Sequence, residues 1–187
     1  NKVTFKGFDL QINNLSWKGL KDYYSIVNPG MVNRLDSLKL QFETAMMLAN
    51  NMEKSAEGSA MLRSIYPLCI EIMTDLVMQQ GQYVALSGDG KYEENLMNIR
   101  LILQETESFK DGYNDRRDYY MAQNIMQLLN KEKAGSKVMV WAHNMHIANV
   151  QGAMGHYLHK YLGEQYYGFG FEFYSGTFQS RDLDSGN

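Results

Sequence analysis

Two histidines, His143 and His146, stand three residues apart around Asn144, directly after the apolar run 137–140. If that run is a buried strand, these side chains follow its carboxyl end, where ligands bind in open α/β sheets. Imidazole titrates near neutral pH, so a histidine held there can give or take a proton. The Asn144 amide can bind a ligand or fix the loop. A histidine is more often a packed or solvated residue, but this placement predicts a catalytic role for at least one of the two.

Arg117 and Asn124 lie on the inward face of a predicted helix. The buried stripe of that helix includes Met121, and steps of four and three residues from Met121 reach the two polar side chains. A buried guanidinium needs an anion, because an unpaired buried charge is costly. One interpretation is a structural ion pair with Asp9 or Asp118. The other is an arginine that orients a catalytic carboxylate or a substrate oxyanion, with Asn124 and Asp118 as supporting residues.

Asp9 ends a segment, 3–8, in which apolar and polar residues alternate as they do in a strand. A carboxylate at such a position forms a turn with its own backbone, or it lines a cleft and orients a histidine or an arginine. Both interpretations stay open from the sequence alone. Asp9 is therefore included among the candidate supporting residues.

The other two histidines, His156 and His159, share a predicted helix. Histidines at this spacing can bind a metal ion together, but no nearby carboxylate or cysteine completes a ligand set. We interpret them as solvated helix residues and predict neither a metal nor a cofactor. A metal-dependent hydrolase that uses His143, His146 and Asp9 remains an alternative.

The elements that would position these residues are mostly helical. Apolar residues recur at spacings of three and four in 35–52 and again in 62–76, which predicts an antiparallel helical hairpin. Strand-like segments separated by helices indicate a parallel sheet. We therefore predict a mainly helical α/β fold, a single domain over 1–187 with a helical insertion at about 34–110. The predicted strands of the small parallel sheet lie near 3–8, 137–142 and 166–173.

Composition excludes some classes of function. The 187 residues carry a net charge of −3 and no basic stripe, which argues against nucleic-acid binding. No apolar run reaches the length of roughly 18 residues that a membrane span requires. No targeting segment lies within these residues, and the compartment is not fixed by the sequence. A small molecule is the expected partner.

Three stretches together resemble the erythromycin esterase family. They are Arg117–Asn124 (RDYYMAQN), Trp141–His146 (WAHNMH) and Val3–Asp9 (VTFKGFD), and the later glycine-rich stretch 167–171 fits the same pattern. The resemblance implies an α/β core with a large helical insertion. It also implies hydrolysis of an ester, in the best-known members the lactone ring of macrolide antibiotics, which is a route to antibiotic resistance. In that family a histidine activates water with the help of a glutamate, an arginine and further histidines.

Matched residue by residue, the family's arginine corresponds to Arg117 and its later histidines to His143 and His146. The family's early signature, a Gly-Glu followed by a His-Gly arrangement with a further glutamate, has no counterpart before Val3. The resemblance therefore implies that this chain is the middle to C-terminal part of a longer domain, and that alone it has little or no activity. A non-catalytic binding module, with the hairpin at 34–80 as its partner surface, is the remaining alternative.

Overall fold

The computed structural model describes residues 3–11, 13–172 and 175. These residues divide into two compact units, one up to Lys137 and the other from Val138. Short 3-10 turns occur at Pro29–Met31 and Gly163–Gln165. The α-helices of the described residues are α1 (Asn14–Val27), α2 (Val32–Ala49), α3 (Ser55–Met78), α4 (Gln80–Ser87), α5 (Asp89–Phe109), α6 (Arg117–Asn130), α7 (Asn144–Ile147) and α8 (Met154–Leu162).

The core of the first unit is built from apolar stripes on α1, α2, α3 and α5. Each stripe follows the helical spacing of three and four residues that brings side chains to one face. On α3 the stripe includes Cys69, the only cysteine of the chain, whose side chain is fully buried. The principal buried residues of the four stripes are Trp17, Leu20, Tyr24, Val27, Leu35, Leu38, Phe42, Ala45, Leu62, Ile65, Cys69, Ile72, Leu76, Tyr92, Ile99 and Ile102.

The predicted antiparallel hairpin is formed by α2 and α3. Arg34 near the start of α2 pairs with Glu71 near the end of α3, which fixes the antiparallel sense. At the other end Gly58 lies so close to α2 that a Cβ built on it would be 2.2 Å from the backbone nitrogen of Ala49. Glycine is therefore the residue that lets the two helices approach here.

A polar group inside this core is satisfied by phenols. The Asp75 carboxylate on α3 accepts hydrogen bonds from the hydroxyl of Tyr24 (2.7 Å) and from that of Tyr83 on α4 (2.8 Å). The rings of Tyr23, Tyr24 and Tyr83 pack edge to face, with centroids 6.0–6.3 Å apart. This network joins α1, α3 and α4, and it places a charge-assisted contact where an unpaired carboxylate would be costly.

The predicted α/β fold with a small parallel sheet is wrong for the described residues, which contain helices but no strand. The segments 3–8, 137–142 and 166–172 are irregular, and residue 173 of the third predicted strand lies outside the described residues. Alternating apolar residues of these segments, such as Phe5, Met139 and Phe171, are exposed. Alternation indicates a strand-forming tendency, but a strand exists only where a second strand supplies its backbone hydrogen bonds. Among the residues that the structure describes, no second strand pairs with these segments.

The second unit is organised around the short helix α7 and the longer helix α8. A Cβ on Gly155, in the first turn of α8, would lie 2.2 Å from the carbonyl oxygen of Ile147, so the end of α7 rests directly on this glycine. The Tyr166 hydroxyl donates to the same Ile147 oxygen at 2.6 Å. These contacts fix the loop that carries the predicted site residues 143–146.

None of the described helices combines the length and the apolar character needed to cross a membrane.

Candidate active site

Arg117 is the first residue of α6, and its guanidinium binds the Asp9 carboxylate in a two-point contact. Nε donates to Oδ1 at 3.0 Å and Nη2 donates to Oδ2 at 2.5 Å. The two side chains are about one third exposed, 27% for Arg117 and 36% for Asp9. The sequence allowed an ion pair of Arg117 with either Asp9 or Asp118, and in the structure these two hydrogen bonds are made with Asp9. Because two parallel hydrogen bonds fix both planes, the pair holds the guanidinium in one orientation.

Asn124 lies about two helical turns after Arg117 on α6, and its side chain is fully buried. Its side chain exchanges two hydrogen bonds with the Gln104 amide of α5, at 2.8 and 2.9 Å. It also donates to the carbonyl oxygen of Phe8 at 2.9 Å. Asn124 therefore anchors the residue that precedes Asp9 and holds the carboxylate in front of Arg117.

A cavity of about 330 Å³ opens beside this ion pair. Apolar side chains form part of its wall, and amides, a hydroxyl, a guanidinium and a carboxyl form the remainder. Polar and charged residues outnumber apolar ones in this lining, so the cavity offers several hydrogen-bonding groups beside a smaller apolar surface. The lining residues are Leu10, Gln11, Met46, Asn50, Glu105, Ser108, Phe109, Tyr113, Asn114 and Arg117.

Glu105 is a lining residue that the sequence analysis missed. Its Oε2 accepts a hydrogen bond from the Asn13 side-chain nitrogen at 2.5 Å. Burial raises the pKa of Glu105 to about 7, the Asn13 hydrogen bond opposes that rise, and the negative charge of Asp9 adds to it. The carboxyl group is therefore able to hold a proton near neutral pH.

The pKa of Asp9 is shifted in the opposite direction to that of Glu105. Burial alone would raise its pKa, but the hydrogen bonds from Arg117 and from the Gln11 backbone N–H, together with the guanidinium charge, lower it below the ordinary value. The Asp9 contact in turn raises the pKa of Arg117. Two carboxyl groups with oppositely shifted pKa values beside one cavity are a pattern found at acid–base sites.

The signal for Glu105 was present in the sequence, although it was weak. The stretch 101–103 on α5 is Leu-Ile-Leu, which covers most of the circumference of the helix. A helix that is apolar all round is buried all round, so the polar residues that follow must also face protein. Gln104, Thr106 and Ser108 are indeed buried. A search for one apolar face on each helix does not reveal Glu105.

His143, Asn144 and His146 lie together in the second unit, at the start of α7. His143 is the N-cap of this helix, and its Nδ1 accepts the Met145 backbone N–H at 3.2 Å. In the neutral ring this leaves the proton on Nε2. The imidazole is exposed, whereas His146 in the last turn is half-buried.

Asn144 binds backbone. Its side-chain nitrogen donates to the Phe171 carbonyl oxygen at 2.7 Å, and its side-chain oxygen accepts the Phe171 N–H at 3.2 Å. The amide thus pairs with Phe171 as a neighbouring strand would. Trp141 packs near the Phe171 ring, with centroids 6.3 Å apart.

The predicted site residues thus occur as two sets. Asp9, Arg117 and Asn124 belong to the first unit together with Asp118, which lies in the first turn of α6 and whose charge adds to the rise in the Arg117 pKa. His143, Asn144 and His146 belong to the second unit. Over the described part of the chain, the His, Cys, Asp and Glu side chains form no group of three or more that could hold a metal ion.

The family model described as erythromycin esterase matches residues 1–187. Neither the curated proteins nor the solved structures include a significant match to the chain.

Proposed function

The chain belongs to the erythromycin esterase family, and from this premise we propose that it is part of a hydrolase that adds water to the carbonyl carbon of an ester or a lactone. Family membership supports the esterase-type reaction. The observation that best supports it for these residues is the two-point Arg117–Asp9 pair beside a cavity of about 330 Å³. The proposed substrates are small esters, with macrolide-like lactones first among them because of the family's name.

The proposed role of Arg117 is to stabilise negative charge. When water adds to an ester, the carbonyl oxygen becomes an oxyanion, and a fixed cation beside it lowers the barrier. The Asp9 carboxylate supports this role because it holds the guanidinium plane before substrate binds, so little reorganisation is needed during the reaction. Asn124 supports it indirectly through the Phe8 carbonyl oxygen.

The proposed role of His143 is to donate a hydrogen bond or a proton to a reacting oxygen. Its Nδ1 accepts the Met145 N–H, so in the neutral, exposed ring the single N–H proton is on Nε2. His146 is proposed to assist in positioning. Asn144 contributes by ordering the segment around Phe171.

The test is a kinetic comparison of variants in the full-length protein, with erythromycin and p-nitrophenyl butyrate as substrates. Arg117→Lys keeps the charge but loses the two-point contact, and we expect kcat to fall about 10²-fold with little change in KM. His143→Asn removes the imidazole but keeps a good N-cap residue, so a fall in kcat reports chemistry and not loss of α7.

Arg116→Lys is the matched control for Arg117, since Arg116 is exposed and precedes the helix, and it should leave kcat unchanged. A full-length protein that hydrolyses neither substrate would contradict the proposed function. An Arg117→Lys protein with unchanged kcat would remove Arg117 from it.

A further inference from the structure

Glu105 lines the same cavity as Arg117. The proposed reaction has so far assigned no role to Glu105. It projects from α5, whose neighbouring residues Gln104, Thr106 and Ser108 are all buried. The Glu105 side chain therefore extends from a packed helix and not from a loop. Groups that act on a substrate are positioned best from such elements.

Asn13 fixes the orientation of this carboxyl group. The Asn13 amide nitrogen donates to Oε2 at 2.5 Å and also lies 3.4 Å from the Leu101 carbonyl oxygen. Asn13 itself is buried at the start of α1. One carboxyl oxygen is thus held by protein, and the group is oriented towards the cavity that it lines.

Asn114 is a further polar residue of the cavity wall. The Oδ1 atom of Asn114, which also lines the cavity, is buried, and no donor in the described residues reaches it. The side-chain nitrogen of the same amide donates to the Glu107 carbonyl oxygen at 3.1 Å, which fixes the amide orientation. A buried acceptor without a donor is costly, so this amide oxygen is a polar atom that the described residues leave unsatisfied.

Burial is the largest cause of the raised pKa of Glu105, and the charges around it add a smaller effect. Asp9 on the preceding segment is ionised and repels a second negative charge, while Arg117 on α6 is already paired with Asp9. Tyr113 is the remaining titratable group on the cavity wall, and α2 contributes only Met46 and Asn50. The resulting pKa is about 7, so near neutral pH the Glu105 carboxyl group is present in both its protonated and its ionised form.

We propose that Glu105 is a catalytic residue of this cavity and that its carboxyl group gives a proton to the alkoxide that leaves when the ester is cleaved. The inference rests on the proposed hydrolysis. Once hydroxide has added to the carbonyl, the tetrahedral intermediate re-forms its C=O bond and breaks the bond to the alkoxide oxygen. That oxygen takes the proton of Glu105, which becomes a carboxylate. The carboxylic acid product then returns a proton to Glu105 and departs as its anion.

The test depends on the leaving group. An aliphatic alkoxide must be protonated as it leaves, whereas p-nitrophenolate is a stable anion and needs no acid. Glu105→Gln keeps the size of the side chain and an oxygen to accept from Asn13, but it has no proton to give. In the full-length protein we expect kcat for ethyl butyrate to fall about 10²-fold. For p-nitrophenyl butyrate, which has the same acyl group, we expect a change of less than about threefold.

The pH profile provides a second readout that a structural role would not affect. Since the acid form of Glu105 is required, wild-type kcat for ethyl butyrate and for erythromycin should decline as the pH rises through about 7. Glu105→Gln should lack that decline. Glu107→Gln, on the same helix but paired with Lys110, is the matched control and should preserve both the rates and the profile.

Equal losses on the two butyrate esters would overturn the proposal, because they would mean that Glu105 supports the fold and not the departure of the alcohol. Unchanged rates and an unchanged profile in Glu105→Gln would also overturn it, while leaving the hydrolase proposal intact. If the wild-type protein hydrolyses none of the three esters, the proposed function itself fails, and the role of Glu105 fails with it.

Discussion

Asp9 and Glu105 carry the same functional group, and their surroundings move its pKa in opposite directions. Asp9 has a guanidinium partner at two contacts. Glu105 has a neutral amide partner and a like charge nearby. Both carboxyl groups are only partly exposed to water, so the partner decides the direction of the pKa shift. A pair arranged this way can hold one negative charge and one proton at the same pH.

Asn13 offers a way to move the Glu105 pKa without altering Glu105 itself. Its hydrogen bond lowers that pKa, so Asn13→Ala should raise it above about 7. The pKa can be measured by following the side-chain carboxyl carbon by NMR across a pH titration. Asn14→Ala, one residue later and exposed, should have no effect. A lower pKa in Asn13→Ala would contradict the assigned partner.

Sequence reasoning at this scale identified the inward arginine because Arg117 falls on the same stripe as Met121. It also named Asp9 as a possible partner, 108 residues away along the chain. It could not choose between Asp9 and Asp118, since that choice depends on where a distant segment folds. It missed Glu105 because helical spacing was applied as one stripe, whereas this part of α5 is enclosed on several sides.

The helices were predictable because their signal is local. The stripes that predicted helices in 35–52 and 62–76 agree with α2 and α3, although α3 begins about two turns earlier than predicted. Pro67 lies inside α3, and the helix continues through it from Ser55 to Met78. A proline removes one backbone hydrogen bond, and the buried stripe on both sides of it outweighs that loss.

The sheet was not predictable from the same kind of signal. Alternation in 3–8 and 137–142 describes one segment at a time, but a strand needs a partner, and pairing depends on the whole chain. Within the described residues, Asn144 supplies with its side chain the pair of hydrogen bonds that a strand would supply to Phe171 with its backbone. The alternation of apolar and polar residues does not reveal that a side chain, and not a strand, forms these hydrogen bonds.

Gly58 determines how closely α2 and α3 pack. In Gly58→Ala the new methyl group would meet the Ala49 backbone at 2.2 Å, and backbone cannot move aside as a flexible side chain can. We expect a loss of about 1–3 kcal/mol in the free energy of unfolding, measured by urea denaturation. Gly81→Ala on α4, where nothing lies within 4 Å, is the control and should stabilise by about 0.5–1 kcal/mol. Stabilisation by both substitutions would contradict the close contact.

At the scale of the whole molecule, the Glu105 proton links folding to pH. In the unfolded chain Glu105 has its ordinary pKa of 4.5, and in the folded chain the pKa is about 7. At pH values below 4.5 this carboxyl group is protonated in both the folded and the unfolded chain, and the stability that it contributes to the folded state is fully present. It is lost as the pH rises through the second value, by up to about 3 kcal/mol.

Urea denaturation at several pH values between 5 and 8 tests this linkage. The wild-type free energy of unfolding should decline across the window, and Glu105→Gln should flatten the decline. Asp9 has the opposite sign, because its lowered pKa contributes stability above the ordinary value of 3.8 that is lost as the pH falls. A wild-type protein that gains stability from pH 5 to pH 8 would contradict the raised Glu105 pKa.

Cys69 gives the molecule a built-in chemical probe of its own opening. Only the thiolate reacts with alkylating reagents, and burial raises the pKa of the Cys69 thiol to about 12 while the surrounding core excludes the reagent. Covalent capture of this sulfur therefore requires α3 to separate from its neighbours. The sequence has no other cysteine. The rate at which one maleimide group is added to the protein, measured by mass spectrometry, therefore reports how often the helical core opens.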